Sequence, residues 1–303
     1  MRVFVTGATG FVGSALVQDL LSARHQVLGL ARSAASAESL LAAGAGVHQG
    51  DLSDLGSLRR AAASADAVIH TAFDHNFSRF ALNAEADRRA IEALGEELIG
   101  SERPLLVTSG LPFMPGRATT ENDVAPSGPG TTPRVSEQTA LALVARGVRA
   151  SVVRMPQVHD RDKQGFASYL ITLAREKGVS AYIGDGENRW PAVHRQDAAH
   201  LYRLVLERGA PCETYHAVTE EGVTVRAIAQ AIGQGLGLPV VALQPDEAAD
   251  HFGWLAPIAR MDAPASSAAT QRRLGWQPSG SPDFLADLEH STAFGPAPVG
   301  GSA

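Results

Sequence analysis

Three glycines spaced three apart, Gly7, Gly10 and Gly13, are the residues of this chain best placed to do chemistry. They follow the apolar run Val3-Phe4-Val5 and precede Ala15, Leu16, Val17, Leu20 and Leu21, an order that reads as strand, turn and amphipathic helix. There the first glycine permits a tight turn, the second lets a pyrophosphate approach the backbone, and the third lets helix and strand pack closely. The helix N-terminus then faces the negative charge. Thr9, Phe11 and Val12 share the turn and complete a dinucleotide cradle.

A second group of reactive side chains lies further on. Thr108-Ser109-Gly110 is followed by Arg134 and Glu137, three apart, and later by His159. Hydroxyl, guanidinium, carboxylate and imidazole groups are the types that polarise a carbonyl or move a proton. Two readings of Arg134 and Glu137 are open: a shared pocket lining, or a surface ion pair.

The elements that must position these residues alternate. Strands are expected at Val3–Val5, Gln26–Ala31, Gly46–Gln49, Ala67–Thr71, Leu105–Thr108 and Ser151–Met155, with helices at 11–24, 34–43, 55–63, 83–100 and 134–147. Such βαβ alternation predicts an α/β fold, a doubly wound parallel Rossmann sheet. Gly110 to Pro133 holds five prolines and four glycines, so it reads as a long loop, a substrate lid beyond a strand end. The second half is less regular, with helices at 166–176, 197–207 and 224–236 and strands at Val179–Ile183 and Tyr215–Val218. Residues 1–165 are expected to form the nucleotide-binding core. Residues 166–295 are expected to mix returning core elements with a smaller C-terminal substrate-binding subdomain, and 296–303 to be a frayed tail.

The second strand ends in Arg32 and Ser33, where an NAD-binding chain usually carries an acid for the ribose 2′-hydroxyl. A guanidinium there pairs with a 2′-phosphate, so NADP(H) is the expected cofactor. Asp51, before Leu52, either accepts from an adenine amino group or caps the next helix. Phe73, His75, Asn76 and Phe77 leave the fourth strand towards the pocket, whereas His70 inside that strand reads as a core histidine. Trp190, His194, His251, Phe252 and Trp254 either complete an apolar substrate wall or belong to the core.

With 303 residues and 45% hydrophobic content the chain can bury a sizeable core. A net charge of −6 without a basic block excludes nucleic acid and anionic membranes as partners. The single Cys212 allows no intrachain disulfide, and no apolar run nears the ~18 residues of a membrane span. The first strand begins at once, leaving no room for a signal peptide, so a cytoplasmic protein is expected. The ten histidines show no metal-ligand spacing.

Thr6–Gly13, Asp51-Leu52, Val68-Ile69-His70-Thr71-Ala72, Val152–Pro156 and Val193–Ala199 together resemble the short-chain dehydrogenase/reductase superfamily, in its extended, epimerase-like branch. The resemblance covers about residues 1–235. It implies cofactor contacts at Thr71, Ala72 and Phe73, a nicotinamide wall of Pro156 and Val158, and a catalytic hydroxyl at Ser109, although Gly110 competes for that register. It also implies a four-helix dimer contact through Ile91, Leu94, Leu98, Leu141 and Val144, which serve equally well against their own sheet. The departure is as telling. Members carry Tyr-x-x-x-Lys on the helix that here begins Pro133-Arg134-Val135-Ser136-Glu137, and Glu137 stands at the lysine position. The usual proton relay is absent.

The expected function is therefore an NADPH-dependent reductase of a small C=N or C=O substrate. Glu137 in place of a lysine suits a cationic iminium, with Ser109, Arg134 and His159 as the remaining catalytic candidates. The rival reading is an NADP(H)-binding sensor without turnover. A sugar-nucleotide epimerase or dehydratase is weaker still, because those reactions first oxidise an alcohol and need the tyrosinate base.

Overall fold

The computed structural model describes residues 1–125 and 134–295. The expected tail at 296–303 and the last part of the long loop, 126–133, lie outside the described residues. The first half alternates as expected: β1 (Arg2–Thr6), α1 (Phe11–Ser22), β2 (Gln26–Ala31), α2 (Ala34–Ala42), β3 (Gly46–Gln49) and α3 (Leu55–Ala63). Then come β4 (Ala67–His70), α4 (Phe80–Glu96), β5 (Pro104–Gly110), α5 (Ser136–Val144) and β6 (Arg149–Met155). The second half adds β7 (Gln157–Asp160), β8 (Lys163–Gln164), α6 (Ala167–Lys177), β9 (Ser180–Ile183), β10 (Arg189–His194), α7 (Arg195–Arg208) and β11 (Thr214–His216). It closes with β12 (Glu220–Thr224), α8 (Val225–Leu236), β13 (Val240–Leu243) and four short helices: α9 (Ala248–Phe252), α10 (Ala256–Ala259), α11 (Ala268–Leu274) and α12 (Phe284–Glu289).

Seven parallel strands form the main sheet in the order β11-β6-β5-β4-β1-β2-β3. The order reverses between β1 and β4, so the crevice beyond their carboxyl ends is where such a sheet takes a nucleotide. Both faces are covered. Leu16 and Leu20 of α1 and Leu201 and Val205 of α7 seal one side, while Leu58, Ile91, Leu94 and Leu143 of α3, α4 and α5 seal the other. Strands buried on both faces must be apolar throughout, as Val3-Phe4-Val5 is.

A second sheet, β12-β10-β7-β8, and a two-stranded pair, β13-β9, stand beyond the main one. They share a third apolar cluster built on Leu170, Ile171, Trp190, Ile228, Ile232 and Phe252.

The packing bears on two expectations. Ile91, Leu94 and Leu98 are fully buried against their own sheet and Val144 packs with them, so of the apolar residues considered for a dimer contact only Leu141 faces outward. The described part of the long loop is also not a loose lid. Thr119 pairs with Ala265, donating its amide to Pro264 O (2.9 Å) and accepting from Ser266 N (2.8 Å). The buried Glu121 carboxylate accepts from both the amide and the hydroxyl of Thr270 (2.6 and 2.7 Å). These bonds make it fixed wall.

Candidate active site

Gly7 adopts a left-handed φ of 68° at the end of β1. A Cβ there would lie 2.8 Å from both Ala72 N and Thr71 Oγ1, so only glycine lets the β4 exit press against the turn. At Gly13 a Cβ would sit 1.9 Å from Gly7 O, which is the close helix–strand approach expected. Gly10 begins α1 with no side-chain cap, and the first turn carries no acid. The first amides of α1, those of Phe11 and Val12 among them, are thus left for an anion. Thr71 Oγ1 donates to Thr6 O (2.7 Å) and locks the two strand ends together.

Two cations flank this turn that sequence reasoning missed. The Arg195 guanidinium carbon lies 5.0 Å from the centre of the Phe11 ring and Lys163 Nζ 5.7 Å from it. Arg195 is steadied by Asp160 Oδ2 (2.8 Å) and Ser14 Oγ (3.1 Å). The available signals were that Lys163 is one of two lysines in the chain and that Arg195 lies in the stretch Val193–Ala199 that carries the resemblance.

At the other end, Arg32 stands exposed after β2, and Ser33 caps α2 by accepting from Ser36 N (3.2 Å). Asp51 does not cap a helix: Asp54 caps α3, by accepting from Ser57 N. Asp51 Oδ1 takes the amide and hydroxyl of Ser53 (2.9 and 2.8 Å), and these bonds, with the Arg32 charge, hold its carboxyl below its ordinary value. Leu52 is partly buried on the second cluster.

The space between the ends of β4, β5 and β6 carries the catalytic candidates. Strand register places Ser109 opposite Arg154 on the α5 side of the sheet, while Thr108 faces the other way. The Thr108 hydroxyl donates to His70 O (2.8 Å) and meets Tyr202 Oη at 2.6 Å. Tyr202 does not replace the missing tyrosine, since its hydroxyl is sealed and burial pushes its pKa up.

Arg134 and Glu137 part company. Arg134 lies with its guanidinium carbon 4.0 Å over the Phe73 ring, donating from Nε to Ser136 Oγ (2.9 Å) and from Nη2 to Thr108 O (3.1 Å). Glu137 turns inward to Arg154, Oε1 to Nη2 at 2.5 Å and Oε2 to Nε at 2.7 Å, at 4% exposure. They form neither a shared lining nor a surface pair. The charge reversal expected at the lysine position is cancelled, because Arg154 meets both carboxylate oxygens.

Beneath Arg134 runs a buried polar chain. Ser136 Oγ donates to Asp87 Oδ2 (2.5 Å), Asp87 Oδ1 meets His70 Nε2 (3.0 Å), and His70 Nδ1 meets Thr6 Oγ1 (2.8 Å). Burial disfavours the Asp87 charge, but bonds from His70 and Ser136 and the nearby Arg134 outweigh it and keep the carboxyl below its ordinary value. His70 is a satisfied core histidine, as expected, and also a link in this chain.

The histidine candidates are held by partners of their own. His159 is sealed between Asp287 (Nδ1 to Oδ2, 2.7 Å), Glu220, His194 and Phe284, so it cannot hand a proton to a substrate there. His194 caps α7 through Gln196 N and lies 3.7 Å from Asp287. His251 packs on Phe252, and burial and the Lys177 charge lower its pKa. Asn76 shapes its own loop, accepting from Ser78 N and Oγ. Pro156 follows β6, and Val158 packs on the first cluster.

The aromatic candidates do converge. Phe73 meets His75 (5.2 Å) and Phe80 (5.7 Å), and Phe77 stacks on Trp254 (4.9 Å) and meets Phe166 (5.9 Å). Trp190 is buried behind Phe166 (6.4 Å). Burial first, then the Arg134 and Lys163 charges, lower the His75 pKa and favour a neutral ring.

Known proteins resemble this chain in sequence and in fold. An uncharacterized protein of Schizosaccharomyces pombe is 46% identical over 97% of this chain and all of its own. The 2-alkyl-3-oxoalkanoate reductase of Stenotrophomonas maltophilia is 28% identical over 80% of this chain and 77% of its own. The UDP-glucose 4-epimerase of Thermus thermophilus, solved with NAD, superposes with a TM-score of 0.73 at 21% identity, covering 96% of this chain and 97% of that one. Residues 3–218 match the family described as NAD dependent epimerase/dehydratase, and the chain belongs to that family of oxidoreductase-type enzymes in the extended short-chain dehydrogenase/reductase branch.

Proposed function

We propose that the protein is an NADPH-dependent carbonyl reductase in which Arg134 replaces the tyrosine as the group that polarises the substrate oxygen. The observation that carries this reading is the seat of Arg134, over Phe73 and bonded to Thr108 O beside the carboxyl ends of β4 and β5. A reduced nicotinamide, when bound, supplies the hydride. The glycine turn fits a dinucleotide, since α1 starts at Gly10 with no side-chain cap and no acid in its first turn, and Arg32 supports the phosphorylated form. As hydride reaches the carbonyl carbon its π pair moves to oxygen, and Arg134 stabilises that developing charge. Ser109, on the α5 side, offers a hydrogen bond to the same oxygen, and water supplies the proton.

The iminium preference drawn from Glu137 loses its basis. Arg154 neutralises that carboxylate, and the half-buried Arg134 guanidinium disfavours a cationic substrate. The Stenotrophomonas relative, by its name a reductase of an oxo group, agrees with carbonyl reduction. A sensor without turnover is the second reading, favoured by an α5 whose residues, Ser136–Val144, include neither tyrosine nor lysine. Following NADPH absorbance with aldehydes, ketones and cyclic imines separates them. Carbonyl turnover supports the reductase, imine-only turnover restores the iminium reading, and binding without any turnover favours the sensor.

A further inference from the structure

We infer that the hydride acceptor is an aromatic carbonyl compound, held flat by a row of ring side chains that begins under Arg134 and runs outward from the crevice. The inference rests on the reductase reading above. Phe73 carries the Arg134 guanidinium and meets Phe80, which stacks on Phe77 at 5.8 Å and 27°. Phe77 stacks in turn on Trp254 at 4.9 Å and 23°. Tyr169 stands edge-on to both, at 88° to Trp254 and 76° to Phe77. These rings come from three separate segments: the stretch from the end of β4 to the first residue of α4, the start of α6, and the turn after α9.

Core packing does not account for the row. Trp254 is 51% exposed and Tyr169 41% exposed, although the chain has only ten Phe, three Trp and four Tyr to place. Large exposed rings gathered in one place mark a surface made to be covered. The occupant is a substrate because the row is continuous with the reaction space: one face of Phe73 holds the cation assigned to the carbonyl oxygen. Near-parallel rings with an edge-on neighbour favour a flat π-system, whose faces match ring faces in offset stacking.

The test compares acetophenone with cyclohexyl methyl ketone, which share one skeleton and differ in having a flat or a puckered ring. Turnover with NADPH is measured for the natural protein, Phe77→Leu and Trp254→Leu, and binding to the NADP-loaded protein is measured by calorimetry. Acetophenone should be preferred about tenfold in kcat/KM, with the preference falling to about twofold in each variant. Equal turnover of the two ketones, or a preference unmoved in both variants, overturns the aromatic assignment and leaves the reductase standing. If neither ketone turns over but acetophenone still binds about tenfold tighter and the variants lose that margin, the aromatic site holds and the reductase reading falls. Absence of both turnover and preferential binding overturns both.

Discussion

Glu137 of α5 and Arg154 of β6 meet as a two-pronged ion pair inside the protein, at the position where the sequence resemblance implies a lysine. Arg154 reaches further, to Asp123 O (2.6 Å) and His216 Nε2 (3.1 Å), so the pair also ties the long loop to the sheet. A residue that seemed to reverse the charge of the site instead belongs to its frame.

A lysine in place of Glu137 should therefore harm the fold. Glu137→Lys places two cations together in the interior and leaves Arg154 unanswered, and breaking a buried pair this way costs about 3–5 kcal/mol. Urea unfolding should show a loss of that order. Glu137→Gln should destabilise less and leave the ratio of imine to ketone turnover unchanged; a selective loss on the imine would return Glu137 to the substrate.

Arg134→Gln should lower kcat/KM for the best ketone by about 10²–10³, the usual effect of removing a group that stabilises developing oxyanion charge. Arg134→Lys should recover part of it, since charge is kept and the planar geometry is lost. NADPH affinity, read by fluorescence titration, should stay within about threefold in both.

Arg32→Ala should weaken NADPH binding about tenfold and leave NADH within about twofold, because only the phosphorylated ribose uses the guanidinium. Equal losses for the two cofactors would mean that Arg32 serves the fold or the pyrophosphate instead.

Acid should weaken the fold through His216. Burial lowers its pKa to about 4, against the bond to Ser266 O and the Glu121 and Glu137 charges that raise it and alongside the Arg154 charge that also lowers it. The folded state keeps the ring neutral while the unfolded chain protonates it near pH 6.5, so below that pH the unfolded state binds more protons. Its contribution is complete above about pH 6.5 and declines towards pH 4. Urea midpoints of His216→Gln should fall less steeply than those of the natural protein across that window.

Much of this was legible in the chain. The glycine turn and most of the strands from Val3 to Met155 could be read because strands buried on both faces leave continuous apolar runs, whereas the edge strand β3, Gly46-Val47-His48-Gln49, rested on its place in the alternation. β5 runs two residues beyond the expected Thr108, because Ser109 and Gly110 still pair with Arg154 and Met155. The second sheet was not foreseen: Pro191 interrupts β10, and β7 and β12 are rich in polar side chains, so periodicity carries little signal. Neither was the pairing of Glu137 with Arg154 rather than Arg134. Spacing along one helix favours the near neighbour, and only the register of β6 against α5 supplies the partner that wins. His159 misled for a similar reason, as its carboxylate partner Asp287 lies 128 positions away.

The chain from Thr6 through His70, Asp87 and Ser136 to Arg134 spans β1, β4, α4 and the start of α5. Each member is chosen by the next, so the five are expected to be inherited as a single locus. A lineage that trades Asp87 for a neutral residue should trade His70 or Ser136 with it. The glycine turn and the guanidinium over Phe73 would then evolve in step, although 127 positions separate Gly7 from Arg134.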